Sequence, residues 1–194
     1  MAYDITLEGQ NLIEAESLLK EAAALFHKHK IAYWLEGGTL LGIIREDRLL
    51  PWDNDLDFSM MCDQLNLVNA LLEDLKRKGF RVRIRRFEED SEQFKKGDIR
   101  MLKIRRKKFF GLIKGNVCLD IFVKYPHEDK AYWEIANRLK HVPLHFYQQF
   151  REIQFKGSTY MIPKETEAYL TYRYGDWKIQ KKDWDTSRDD QALA

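Results

Sequence analysis

Three aspartates at alternate positions, Asp53, Asp55 and Asp57, lie within the segment from Trp34 to Met60, WLEGGTLLGIIREDRLLPWDNDLDFSM. On an extended chain they share one face, with neighbours about 6.6 Å apart along the strand. Like-charged carboxylates on one face repel, so a metal-free protein has little structural use for them. A divalent cation removes that penalty. Mg2+ or Mn2+ suits hard oxygen ligands and commonly takes one or two carboxylates together with substrate phosphates. The spacing is not that of an EF-hand, which needs a loop glycine and a terminal glutamate that are missing here. A fourth acid, Asp120, sits in the apolar run VCLDIFV. An ionised carboxylate there is costly unless it is paired with a nearby Arg or Lys or bound to a metal. The company of Asp55 and Asp57 favours the metal.

The complementary half is the Gly37-Gly38-Thr39 turn. Glycines let backbone N–H groups approach a phosphate closely, and a following helix N-terminus presents unpaired donors and the positive end of its dipole. Arg45, two turns along, could reach an anion. Alone, Gly-Gly-Thr is weak evidence; beside an Asp-x-Asp strand it reads as a phosphate cradle next to a metal site. Asp53 and Asp120 are the candidates for accepting a proton from an attacking hydroxyl.

These residues need elements to position them. Leu12, Ala15, Leu18, Leu19, Ala22, Leu25 and Phe26 fall at helical spacing, predicting a helix from about Glu8 to Lys30. A short strand is expected over Ile31 to Leu35, then the glycine turn, Thr39 as cap and a short helix. Asp55 to Met60 reads as a strand, and Gln64 to Lys78 as a helix stopped by Gly79. Phe80 to Phe87, Ile99 to Ile104 and Val117 to Val123 read as further strands, with a turn between Lys107 and Gly115. Past Pro126 the pattern (AYWEIANRL, HFYQQF) reads as helical. A hairpin about Lys156-Gly157-Ser158 precedes a last helix near Pro163. This interleaving predicts an α+β fold, a mixed sheet flanked by helices.

A length of 194 residues suits a single domain over 1–194, with the segment from about 160 to 194 packing on its body. Two distant cysteines, Cys62 and Cys118, exclude a Cys-rich zinc site and give no disulfide framework. With no secretion-type N-terminus and no apolar run of membrane-spanning length, a cytoplasmic setting is expected. The net charge of +2 hides two basic stretches, Lys76 to Arg86 and Arg100 to Lys108. They suggest an anionic partner, peripheral contact with an inner membrane face included.

The motifs YWLEGGTLLGIIR, LLPWDNDLDF and LDIFV, and more loosely KGSTYMIP and YLTYRYGDW, resemble the LicD family with its fukutin-related members, in the nucleotidyltransferase-fold superfamily. The likeness runs from Tyr33 to Trp177. It implies a nucleotidyltransferase-like fold in which Asp55, Asp57 and Asp120 hold metal and Gly37, Gly38 and Thr39 form the phosphate turn. It also implies transfer of phosphocholine or an alditol phosphate from a CDP-linked donor to a glycan or glycolipid acceptor. The chain departs from the family pattern in a shorter stretch between the Asp strand and the third Asp, which implies a smaller acceptor or a partner.

Other residues carry blander readings. Pro143 lies between His141 and His145, and His27 and His29 do not face each other on a helix, so shared metals are not expected. Cys118 is expected to be a buried thiol. Trp133, Phe146, Tyr147 and Phe150 are expected mostly in the core, and Trp177 and Trp184 are expected to fasten the C-terminal segment. Arg81, Arg83 and Arg85 share a strand face that is either solvated or in contact with an anion. The rival function is a nucleotidyltransferase moving NMP from an NTP, which needs the same glycine turn and acids. No nucleic-acid partner is expected, since the acids would repel phosphate where the arginines attract it.

Overall fold

The computed structural model describes residues 4–108, 113–181 and 183–194. Helix α1 (Gly9–Lys28) buries Leu18, Leu19, Ala22 and Phe26 on one stripe, and ends with His27 and Lys28 at the negative end of its dipole. Strand β1 is only Trp34–Leu35, shorter than the expected Ile31 to Leu35, and pairs antiparallel with β2 (Leu56–Met61). Helix α2 (Gly37–Glu46) lies between them. Its cap is not Thr39, as the sequence suggested, but Glu36. That residue is extended (φ −132°) and accepts the Gly37 amide with its side chain. Thr39 sits inside the first turn, and its hydroxyl instead accepts the Asp57 amide at 2.9 Å, locking α2 to β2.

The stretch expected as one helix after β2 is split. A 3-10 segment (Cys62–Leu67) precedes α3 (Val68–Arg77), pinned by paired hydrogen bonds between the Gln64 amide and the Ala32 backbone. Gly79, at φ +82°, turns the chain into β3 (Phe80–Arg86). Strand β4 (Ile99–Lys108) runs four residues beyond its expected end, and β5 (Ile113–Lys114) returns beside it. The centre of the turn expected between Lys107 and Gly115, residues 109–112, lies outside the described residues.

Strand β6 (Leu119–His127) lies parallel to β2 and antiparallel to β4, giving the order β1-β2-β6-β4-β3. Of the region past Pro126, expected to be helical, AYWEIANRL lies in a hairpin of β7 (Lys130–Ile135) and β8 (Arg138–Pro143), and HFYQQF gives only a short 3-10 turn, Leu144–Tyr147. Ala131 and Trp133 alternate inward, and Ala136 and Asn137, both at positive φ, make the two-residue turn that matches strand twist. The expected hairpin at Lys156-Gly157 joins β9 (Phe150–Phe155) to β10 (Ser158–Pro163), and α4 (Thr166–Tyr174) follows. The sheet is mixed and helices flank it, an α+β architecture.

The pleat divides the sheet into two faces. Leu56, Phe58, Leu119, Ile121, Leu102 and Ile104 are buried on one face, where Phe58 meets Phe26 of α1 edge-on at 5.7 Å. The other face carries Asp57, Asp120 and the basic residues of β4 and β3.

Candidate active site

Parallel pairing of β2 with β6 sets Asp57 directly opposite Asp120, and antiparallel pairing sets Asp120 opposite Lys103 and Lys103 opposite Arg83. One row across four strands therefore reads acid, acid, base, base. Asp55 lies just before β2, two residues from Asp57 and on the same side by alternation. Asp53 lies in the turn leading to it, where its Oδ1 accepts the Asn54 amide at 2.9 Å. All four acids line one cleft of about 1170 Å3, together with Gly37, Gly38, Arg45 and Trp52.

Gly37 and Gly38 are required by close approach. A Cβ on Gly37 would stand 2.2 Å from Asp57 Oδ2, and one on Gly38 would stand 1.9 Å from Asp53 Oδ2. The first turn of α2 is thus pressed against two carboxylates, with the positive end of the helix facing them. Helix geometry leaves the Gly38 and Thr39 amides without intrahelical acceptors. Arg45 lines the cleft, but its guanidinium is held by Glu46 Oε1 (2.7 Å) and the Trp177 carbonyl (3.2 Å).

Electrostatics mark the cluster. Burial lifts Asp53 to about 6, the Asn54 amide only partly opposing it. Burial, then the charges of Asp53 and Asp120, push Asp55 well above the usual carboxylate range. Burial, then Asp55, Asp53 and Asp120, do the same to Asp57. Asp120 is engaged on both oxygens: Lys103 donates to Oδ2, and the buried Cys118 thiol donates to Oδ1 at 3.1 Å. Its partnering by a lysine was the blander of the two expectations for this residue. Among the described residues no three His, Cys, Asp or Glu side chains form a ready-made metal cage. The donor set nevertheless suits a hard cation: oxygen-only ligands, mutually repelling, with the Lys103 and Arg105 charges as partial compensation.

Beneath this cluster lies a buried network that sequence reasoning missed. Glu36 is 2% exposed and accepts hydrogen bonds from Ser59 Oγ (3.0 Å), Tyr147 OH (3.2 Å), Tyr169 OH and Arg173 Nη1 (2.8 Å). Burial alone would raise its pKa, but the Lys124 and Arg173 charges hold it far below the usual range. Arg173 also grips Asp190 through Nε (2.8 Å) and Nη2 (2.6 Å), and Lys140 donates to Asp190 at 2.6 Å. Lys124 stands 3.4 Å from Glu36 and 3.2 Å from the centre of the Trp133 ring; burial lowers it to about 7. The available signal was Glu36 itself, an acid between an apolar strand and a glycine pair.

The remaining residues fall into place around this network. Trp133, Phe146 and Tyr147 are buried, and Trp133 also borders the cleft. Trp177 Nε1 donates to Thr171 and Trp184 packs on Tyr174, both contacts lying within the C-terminal segment, while the Trp177 carbonyl accepts from Arg45 of α2. His29 Nε2 lies 2.8 Å from Asp74, and Cys118 is the buried thiol expected. No helix among the described residues is long and apolar enough to cross a membrane.

Comparison with known proteins gives this geometry a family. Protein RP689 of Rickettsia prowazekii is 25% identical over 177 residues, 88% of this chain and 58% of that protein. The lipopolysaccharide cholinephosphotransferase LicD of Haemophilus influenzae is 42% identical over 60 residues, 31% of this chain and 22% of that protein. The human ribitol-5-phosphate transferase FKTN is 28% identical over 185 residues, 90% of this chain and 35% of that protein. The chain thus spans just over half of one of these relatives and about a third or less of the others. A family model described as LicD/FKTN/FKRP, nucleotidyltransferase domain, matches residues 30–165, which hold all four acids, the glycine pair and the acid-base row. The chain belongs to the LicD/FKTN/FKRP family.

Proposed function

We propose that this chain transfers a phospho-alcohol, phosphocholine or an alditol phosphate, from a CDP-activated donor to a glycan hydroxyl, releasing CMP. The observation that carries this reading is the row Asp57–Asp120–Lys103–Arg83 facing the first turn of α2. It sets acids of the kind that suit a cation beside bases of the kind that suit phosphate. The names of two relatives, a cholinephosphotransferase and a ribitol-5-phosphate transferase, support the same class of transferred group.

Asp55, Asp57 and Asp120 would hold Mg2+ or Mn2+, which supplies charge neutralisation at the phosphates of the donor. The Gly38 amide, at the cleft-lining start of α2, would bind a non-bridging oxygen, and Lys103 adds positive charge once released from Asp120. Glu36 holds the start of α2 in place through the Gly37 amide, so the Gly38 amide is preset rather than gathered on binding. Asp53 lies outside the proposed metal ligands and lines the same cleft, where it would take the proton of the acceptor hydroxyl. Trp52 and Trp133 border the cleft and exclude water.

A donor screen tests the proposal. Purified protein with Mn2+ is offered CDP-choline, CDP-ribitol, CDP-glycerol and the four NTPs, and CMP is scored against pyrophosphate. CMP from one CDP donor supports the reading. Pyrophosphate from an NTP, with no CMP from any CDP donor, replaces it with nucleotidyl transfer.

A further inference from the structure

The buried network ends at Asp190, which is 2% exposed and is not among the residues lining the cleft. The chain around it is held by other bonds. The Gln191 amide donates to the Arg173 carbonyl at 3.0 Å, the His141 amide to the Ala192 carbonyl at 2.9 Å, and Lys140 to the Thr186 carbonyl at 2.6 Å. The paired bonds from Arg173 Nε and Nη2 to Asp190 are therefore not needed merely to dock the segment. A buried ion network is also weak ground for stability, because well-packed apolar side chains often serve as well. What this one fixes is direction. Two bonds to one carboxylate set the plane of a guanidinium, and the remaining nitrogen, Nη1, meets Glu36 Oε1 at 2.8 Å. That same oxygen accepts the Gly37 amide at 3.2 Å, whereas Oε2 accepts from Ser59 and Tyr147. Gly37 has no slack, since a Cβ there would stand 2.2 Å from Asp57 Oδ2.

We infer that Asp190 is a positioning residue: acting through Arg173 and Glu36, it sets the Gly37 turn against the acids. The inference rests on the proposed transfer reaction and names a residue outside the cleft that governs the same site. Direct contacts run without a gap from Asp190 through Arg173, Glu36 and Gly37 to Asp57. Loss of the fork frees the guanidinium to turn, and Glu36 Oε1 then loses the partner that aims it at the Gly37 amide. The C-terminal segment thus completes the site in two ways, since its Trp177, Ile179 and Trp184 also line the cleft. Lys140 gives the comparison that separates these roles. It donates to Asp190 at 2.6 Å and grips Thr186, yet makes no bond to Arg173 or Glu36 among the described residues.

The test compares the full chain with Asp190→Asn, Lys140→Met and the pair Asp190→Asn/Lys140→Met. The first keeps the shape of Asp190 and loses the charge that holds the fork; the second loosens the segment and leaves the fork. The pair removes one charge of each sign, so the net charge of the network is kept, and it is the variant read where Asp190→Asn alone is too unstable. Amide hydrogen exchange at Gly37 is followed by NMR without substrate, as a ratio to the amides of α3, which packs on α1 and β3. General loosening speeds both and leaves the ratio alone. The ratio is expected to rise about tenfold or more in Asp190→Asn and in the pair, and to stay within about twofold in Lys140→Met. CMP release from the CDP donor should fall about 100-fold in the pair and persist in Lys140→Met. An unchanged ratio in both Asp190 variants overturns the inference, as does a rise in Lys140→Met equal to that in Asp190→Asn. CMP release at the wild-type rate from the pair equally overturns it. Failure of the proposed reaction is read separately, as absence of CMP release from the wild type, and the exchange ratio then decides the inference alone.

Discussion

Arg173 of the last helix donates to Glu36 at 2.8 Å, joining the C-terminal segment to the residue that caps the helix over the acids. Both are almost wholly buried, and Glu36 also faces Lys124 at 3.4 Å. Removing one member leaves buried charge without its partner. Glu36→Gln is expected to lower stability by about 3–5 kcal/mol, measured by urea unfolding. The pair Glu36→Gln/Arg173→Met should cost less than the two single changes added together. Strict additivity would show that the contact is not energetically coupled.

Asp57 is opposed by Asp120 and flanked by Asp55, and its ionisation works against the fold when no cation is present. Asp57→Asn should therefore leave the chelated protein as stable as wild type or more so, while lowering transferase activity by at least about 100-fold. Mn2+ at 100 times its dissociation constant should stabilise wild type by about 2.7 kcal/mol and the variant far less. Activity surviving within a few-fold, or equal stabilisation of both proteins, removes the metal assignment.

The acids also set a pH dependence. Asp53 is raised from 3.8 to about 6, so in the folded chain it holds a proton that the unfolded chain has already released. That contribution is fully present below about 3.8 and is lost as pH rises through about 6. Asp55 and Asp57 act in the same direction. Glu36 and Asp190 are shifted downward, and their contribution disappears only in more acidic solution. In EDTA, unfolding free energy is expected to fall between pH 5 and pH 7, and Asp53→Asn should flatten part of the fall. A rise across that interval in the chelated wild type would contradict the assignment.

The glycine pair gives a steric prediction with a built-in control. Gly37→Ala and Gly38→Ala each drive a methyl into a carboxylate oxygen, and Gly37 is also at φ +56°. Each is expected to reduce activity by about 100-fold, since a displacement near 1 Å of positioning groups has that scale. Gly9 has a similar φ of +54° but open space about it. Gly9→Ala should cost only about 1–2 kcal/mol of backbone strain and leave activity unchanged. An activity loss in Gly9→Ala equal to that in Gly37→Ala would point to backbone strain rather than crowding at Gly37, whereas Gly38, which is not at positive φ, reports crowding alone.

What the sequence disclosed was what lies close together along it. Asp53, Asp55, Asp57 and the glycines fall within a short stretch whose alternation and turn chemistry can be read directly, and Asp120 announced itself as a charge in an apolar strand. Glu36, Lys124, Arg173 and Asp190 did not, because their meaning lies in one another and they come from four separate parts of the chain. The β7–β8 hairpin departs from the expected helix because its aromatic and charged residues satisfy both periods, and Ala136-Asn137 is not one of the dipeptides that mark a two-residue turn. Thr39 looked like a cap by residue type, but Glu36 stands one position before the helix and takes that place.

The parallel alignment of β2 with β6 has a consequence for how the protein is made. Parallel neighbours cannot be joined by a tight turn, so this pairing must close a long loop through α3, β3 and β4 before it gains anything in return. Such non-local pairings form slowly. Asp57 of β2 therefore meets Asp120 only when the central sheet is assembled. A partly folded chain lacks the crowded acids, so on the proposed metal site a cation is expected to be captured only at the last step of assembly.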